Sequence, residues 1–187
     1  SKAPSTDGGS GKLNVTFGDY DLKKVTTSNN FVINDKIATR LSLASTTRDG
    51  FSKNVVTGQD LDDANSKGFR SDWMFNLNDT SSLRVFGQYF KVDRNGAAIR
   101  GIDDQTPGMR NLSQDTVSQH ELSSMVIAAI YESDLGFANL KAIASIQEDD
   151  ILVVRDNDRH NYLDPVLAIE GLPAGSTYQR AEFTPET

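Results

Sequence analysis

The sequence contains no cysteine, so a disulfide framework and thiol chemistry are both excluded. It has only two histidines, His120 and His160, which limits the options for a metal ligand or a general base. On this ground the sequence predicts no metal site, no cofactor and no enzyme activity.

The chain also lacks an excess of positive charge and any long apolar run. Its formal net charge of −7 argues against nucleic acid or an anionic lipid surface as a partner. No stretch approaches the roughly 20 apolar residues of a transmembrane helix, and the polar start "SKAPSTDGGSG" does not resemble a signal peptide. The expectation is therefore a cytosolic protein or an internal piece of a longer one.

What the chain does contain is apolar residues at alternate positions, the period of a half-buried β-strand. In "FRSDWMFNLN", Trp73 and Phe75 share one face while Arg70, Asp72 and Met74 share the other. No helical spacing is sustained, so the sequence predicts an all-β fold, an antiparallel up-and-down meander of about seven strands. The predicted strands are Ser10–Gly18, Leu22–Ile33, Ile37–Thr47, Phe69–Leu77, Leu83–Val92, Glu121–Glu132 and Phe137–Gln147.

The connections between these strands alternate in length. Three are tight and rich in turn-forming residues, at 34–36, 78–82 and 133–136, whereas those at about 48–68, 93–120 and from 148 onward are long. A meander places the tight turns together at one end. Only "GDYD" at 18–21 is short where a long loop is expected. This segregation is typical of a transmembrane β-barrel, in which lipid covers the apolar face and the polar face lines a lumen.

The segment "GDYDLKKVTTSNNFVINDKIATRLSLASTTRDGF" resembles the first barrel strands of TonB-dependent outer-membrane receptors, and "ESDLGFANLKAIASIQEDD" looks like a later hairpin of the same family. The resemblance implies that residues 1–9 are the end of the plug or a linker. Residues 10–148 would form part of the barrel, and residues 149–187 a largely irregular extracellular loop.

The same resemblance implies a fragment of a receptor in the bacterial outer membrane. Its function would be energised uptake of a scarce solute such as an iron–siderophore, a cobalamin or an oligosaccharide. The implied partners are the plug and the remaining barrel of the parent chain, outer-membrane lipid, and TonB through a segment absent here. A complete barrel of this family has about 22 strands, so most of it would lie outside this chain.

Two sets of candidate site residues follow. Arg40, Arg70 and Arg84 lie on the polar faces of their strands, and in a barrel they would face the lumen. There they could pair with plug carboxylates or hold a bound anion, although plain solvation is the simpler interpretation. The second set contains aromatic residues that could form the girdles at the membrane interfaces, or could simply pack: Trp73, Tyr89 and Tyr131.

Other chemical groupings are weaker. Two acidic segments are better interpreted as solvated loops than as cation sites, namely Asp60, Asp62 and Asp63, and Asp156, Asp158 and His160. His120, Glu121 and Ser123 show no nucleophile elbow and no triad spacing.

The alternative to a transporter fragment is a soluble β-sandwich binding module, for example one that binds carbohydrate. The two hypotheses differ in whether the apolar face is covered by a second sheet or left open. The two hypotheses are distinguished by whether a second sheet packs against six apolar residues, namely Leu41, Leu43, Trp73, Phe75, Val85 and Leu140.

Overall fold

The described part of the chain is built from β-strands. A computed structural model describes residues 2–157, residue 159 and residues 176–183. Within these ranges no helix is long and apolar enough to cross a membrane. The strands, in chain order, are β1 (Ser10–Gly18), β2 (Leu22–Val32), β3 (Ile37–Arg48), β4 (Ser52–Asn54), β5 (Asp60–Leu61), β6 (Ala64–Asn76), β7 (Ser81–Arg94), β8 (Asn111–Leu112), β9 (Gln119–Asp134), β10 (Asn139–Asp156) and β11 (Ser176–Phe183).

Eight of these strands form one antiparallel sheet in the order β1-β2-β3-β6-β7-β9-β10-β11. Each strand pairs with its neighbour along the chain once the three short strands are set aside, so the predicted meander is confirmed. Within the described residues β1 and β11 are the two edges, and the sheet is not closed.

The segregation of the connections is also confirmed. The tight turns after β2, β6 and β9 lie at one end of the sheet, and the connections of 49–63 and 95–118 lie at the other. In the first turn the Asn34 side chain accepts hydrogen bonds from the backbone N–H groups of Lys36 and Ile37. Asn78 accepts one from Thr80 in the second turn, as expected for residues that stabilise turns with their own side chains.

Several strand ends differ from the predicted ones. β10 continues beyond the predicted end at Gln147 to Asp156, and β11 pairs with it from Asp149 to Asp156, so the described sheet has an eighth strand. That residues 149–187 are otherwise largely irregular stays a prediction, because many of them lie outside the described residues. The loops of 48–68 and 93–120 are shorter than predicted, since β6 begins at Ala64 and β7 ends at Arg94. Residues 158, 160–175 and 184–187 lie outside the described residues.

The pairing register divides the main sheet into two faces. Leu43 pairs with Phe69, Phe69 with Tyr89, and Tyr89 with Met125, so these side chains share one face, here called the apolar face. The opposite face, here called the polar face, carries Arg40, Asp72 and Phe86 in one row of cross-strand partners. The alternation predicted for the strands is therefore confirmed across the sheet.

The sheet has almost no conventional core. Among the described residues the buried apolar side chains are Ala38, Leu61, Leu112 and Ala128, while buried polar ones are more numerous. Large apolar side chains on the apolar face are instead exposed, among them Leu43, Phe69, Ile127 and Ile146.

The three short strands form a separate small sheet at the long-loop end, in the order β5-β4-β8. Strand β4 pairs antiparallel with β5 in its own loop and parallel with β8 in the other. Leu61 on β5 and Leu112 on β8 are buried. We call residues 49–63 and 95–118 together the loop cap.

Candidate functional site

The polar face carries a cluster of arginines around one carboxylate. Arg40 on β3 is the direct cross-strand partner of Asp72 on β6. Arg70 lies two residues from Asp72 on the same strand, and Arg84 on β7 is its diagonal neighbour. The structure thus brings the three predicted arginines together on one face. That this face lines a lumen stays a prediction.

Asp72 binds two of the three arginines through four hydrogen bonds. Arg84 donates from Nε to Oδ1 at 2.8 Å and from Nη2 to Oδ2 at 2.6 Å. Arg70 donates from Nε and Nη2 to Oδ2 at 3.2 and 3.0 Å. The Asp72 side chain is 1% exposed, and those of Arg70 and Arg84 are 17% and 19% exposed. This is a nearly buried ion-pair triad in which charge-assisted hydrogen bonds satisfy the Asp72 carboxylate and one positive charge remains in excess.

Two further groups orient the arginines. The guanidinium carbon of Arg70 lies 3.7 Å from the centroid of the Phe86 ring, and that of Arg84 lies 5.7 Å from it, so both cations contact the ring face. Arg40 points away from Asp72: its Nε donates to Ser28 Oγ at 2.9 Å, and Ser28 shares a hydrogen bond with Ser42. Aromatic and hydroxyl contacts therefore hold the cluster in a defined geometry.

The N-terminal segment, residues 2–9, lies against the polar face near the tight turns. The Asn30 side chain holds this segment by hydrogen bonds. Its Oδ1 accepts one from the Ser5 N–H at 3.0 Å, and its Nδ2 donates to the backbone carbonyls of Ser5 and Gly8. Asn76, on the same face, donates to Thr6 Oγ1 at 3.4 Å. Pro4 is buried in this contact. The segment predicted as the end of a plug or a linker thus joins the polar rather than the apolar side.

The apolar face carries a band with aligned borders. On β7 the band runs through Leu83, Val85, Gly87 and Tyr89, and on β9 through Met125, Ile127, Ala129 and Tyr131. Both stretches end at polar residues that pair across the strands, Lys91 with Ser123 and Ser81 with Ser133. The polar borders therefore fall at the same heights on both strands.

The predicted girdle aromatics occupy defined heights in this band. Tyr89 lies in the row next to the Lys91 border, and Tyr131 in the row next to the Ser81 border. Trp73 lies one row inside Tyr131, stacks on Phe75 with ring centroids 6.3 Å apart, and donates from Nε1 to Ser71 Oγ. The two tyrosines bracket the band. Their role as membrane anchors stays a prediction.

The acidic segment of residues 60–63 is not merely solvated, which corrects the sequence interpretation. Asp62 accepts hydrogen bonds from Ser52 Oγ at 2.6 Å and from the Ala98 N–H at 3.0 Å. Asp63 accepts one from the Asn95 N–H at 2.8 Å. These carboxylates tie the first cap loop to the second.

The buried polar residues of the cap were not predicted. Asn54 and Gln114 exchange side-chain and backbone hydrogen bonds across the two loops, as do Gln59 and Ser118. Such pairs leave no periodic pattern along a sequence. The one available signal is that Asn and Asp recur through both loops, and that composition is equally typical of exposed turns.

The remaining candidates do not assemble into a site. In the described ranges no three metal-ligating side chains come together. Asp156 lies at the end of β10, and Asp158 and His160 are outside the described residues. His120 and Ser123 are three positions apart on β9, so the strand places their side chains on opposite faces.

Asp104 secures the second cap loop and is sensitive to acid. Burial alone would raise the pKa of its carboxyl. Hydrogen bonds from the Thr106 side chain and backbone and from the Ser113 backbone, together with the charge of Arg100, outweigh burial and hold the pKa below the ordinary 3.8. Its stabilising effect is therefore present above the unfolded-state pKa and is lost as the pH falls through the lower folded-state value.

We expect amide protons of residues 99–113 to lose hydrogen-exchange protection, after correction for the intrinsic rate, as the pH falls below about 4. Asp104→Asn should exchange faster at pH 6 and show a smaller dependence on acid, because the asparagine cannot titrate. The backbone amides of β7 are the internal reference. An unchanged acid response in the variant would contradict the role given to Asp104.

Comparison with known proteins finds no match to this chain among family models, curated proteins or solved structures.

Proposed function

We propose that this chain is part of a transmembrane β-barrel of the bacterial outer membrane, in a receptor of the TonB-dependent type that takes up a scarce solute. The observation that carries the proposal is the apolar band, which has aligned polar borders and lies open on one face of a meander. The polar face, with its arginine cluster and the N-terminal segment, would line the lumen.

The distance between the polar borders of the band fits a membrane. From Ser81 to Lys91 the strand β7 covers ~34 Å at the usual rise per residue. With the strand tilt of roughly 40° that barrels adopt, this corresponds to a height of ~26 Å. The apolar band on the outer surface of known barrels is about 25 Å tall.

The alternative of a soluble sandwich requires a second sheet over the apolar face. Leu41, Leu43, Trp73, Phe75, Val85 and Leu140 share that face by register, and none of the six is buried. The only other sheet in the described residues is the small one in the loop cap, and it leaves this face exposed. An open face of this size is rare in soluble monomers, and this favours lipid as its cover.

The position of the N-terminal segment is consistent with the same proposal. A plug that precedes the barrel must enter it on the polar side, and residues 2–9 lie on that side, held by Asn30 and Asn76. The β1 and β11 edges, which have no second pairing partner among the described residues, would be completed by further strands of the parent chain. In lipid an open edge is not tolerated, because its N–H and C=O groups have no water to bind.

The proposal predicts that the 187-residue chain, prepared without detergent, will aggregate. Its exposed apolar face and two open edges both favour self-association, and the charge of −7 is screened beyond ~8 Å at physiological salt. The measurement is the mass in solution by light scattering, with and without a nonionic detergent. A monodisperse monomer in plain buffer that unfolds in one cooperative transition would exclude the transporter fragment and favour the soluble binding module.

A further inference from the structure

The polar face has more positive charge at its centre than its own carboxylate can neutralise. Arg70 and Arg84 bind Asp72, and Arg40 lies opposite Asp72 without an ion pair to it, so the three arginines exceed the one carboxylate by two positive charges. Buried or half-buried charges are costly unless they are paired. We propose that this cluster is a binding site for a small oxyanion with at least two negative charges, either a polycarboxylate or a phosphate.

Arg40 is the member that remains available. Within the described residues only its Nε has a hydrogen-bond partner, and that partner is the neutral hydroxyl of Ser28. Arg40 forms no ion pair in that part of the chain, although it lies directly opposite Asp72. Its two terminal nitrogens form the planar fork that binds a carboxylate or phosphate in bidentate fashion.

Arg70 and Arg84 are fixed in position. Asp72 holds both from one side, and the ring of Phe86 lies against both guanidinium groups. Arg84 Nη1 has no partner among the described residues. A site whose donors are already oriented loses little conformational entropy when the anion binds.

No other carboxylate in the described strands forms an ion pair with Arg40. Glu132 is bound to Lys141 at 2.7 Å, and its charge also acts on Arg84. Asp149 lies on β10, ~19 Å from β3 at the usual strand spacing. Asp7 of the N-terminal segment accepts a hydrogen bond from Ser5 and makes no ion pair with Arg40. The excess charge at Arg40 is therefore open to an anion from solution.

The proposed binding of an oxyanion depends only on residues of the polar face. That the bound anion is the transported solute is a step that rests on the proposed function. If it is, the solute is a chelate or conjugate that carries carboxylate or phosphate groups. A carboxylate from the parent chain is a different occupant. It would leave the isolated chain with an empty site that small anions can still fill.

The experiment is isothermal titration of the folded chain in nonionic detergent at low salt, with citrate and pyrophosphate as separate probes and sucrose as the neutral control. We expect at least one oxyanion to bind and sucrose not to bind. Binding of citrate alone would assign the site to carboxylates, and binding of pyrophosphate alone would assign it to phosphates.

Arg40→Gln should weaken the binding at least about tenfold, the equivalent of one charge-assisted hydrogen bond. This variant does not disturb the Asp72 triad, so the sheet should fold, which circular dichroism checks. Arg40→Lys keeps the charge but not the fork and should give an intermediate affinity. Lys24→Gln removes one positive charge from the same face, away from the cluster, and should change the affinity less than about twofold.

Failure of the folded chain to bind either anion would overturn the proposal, as would equal losses in Arg40→Gln and Lys24→Gln. These results concern the polar face only. The need for detergent, which tests the proposed function, depends on the apolar face, so the two can fail independently.

Discussion

Replacing Asp72 with alanine should lower the free energy of unfolding by about 3 kcal/mol. The change leaves Arg70 and Arg84 without the carboxylate that accepts four of their hydrogen bonds, at a site where the carboxylate is 1% exposed. Two positive charges then remain close together beside Arg40. The measurement is urea unfolding of the chain in detergent micelles, followed by circular dichroism.

Glu132→Ala is the matched control for this loss. Glu132 lies on the same face and also forms an ion pair, with Lys141, but both side chains are about half exposed, at 51% and 56%. Exposed pairs contribute about 0–1 kcal/mol. If the two variants lost equal stability, the Asp72 triad could not be the main electrostatic contact of this face.

The second large effect is expected on β10, where adjacent residues lie on opposite faces. Ile146→Arg should lower the free energy of unfolding in micelles by up to ~2–4 kcal/mol, because it places a charge within the apolar band, in the row of Ile127. Gln147→Arg introduces the same side chain one position further along, on the polar face, and should change the stability by less than about 0.5 kcal/mol.

The comparison tests whether an apolar medium covers the apolar face, because both positions are exposed in the described sheet. If water covered both faces, an arginine would be tolerated on either one, and the two variants would behave alike. Equal stabilities would therefore argue against lipid on the apolar face. A large difference would require an apolar medium there.

The meander and its two faces could be predicted because alternation is clear in β3, β6 and β7, although β2 is weakly patterned and β9 is apolar on both faces. The first strand was predicted with the bounds it has, Ser10–Gly18, and the tight turns were found from their Asn and Asp residues. The three arginines could be placed on one face for the same reason, since a period of two assigns every side chain of a strand to a face.

Strand ends beyond the band could not be predicted. Strand β6 begins five residues before Phe69, in a segment where both faces meet water and polar residues follow no period. The extension of β10 to Asp156 has the opposite cause, since "ILVV" is apolar on both faces and carries no alternation. Backbone pairing with a neighbour, rather than side-chain burial, sets the length of a strand there.

The contacts within the candidate site could not be predicted from the sequence. Alternation places Asp72 and Arg84 on one face, but only the register shows that they meet. The parallel pairing of β4 with β8 joins segments far apart in the chain and is held by buried Asn and Gln side chains, which are typical of exposed loops in a sequence.

The interlocked loop cap restricts how this chain can vary. Loops at the open end of a β-meander can usually gain or lose residues one at a time, because each connects only its own two strands. Here the β4–β8 pairing and the exchange between Asn54 and Gln114 make the length of one loop depend on the other. Insertions next to Asn54 or next to Gln114 should therefore be poorly tolerated, because each would displace contacts in both loops.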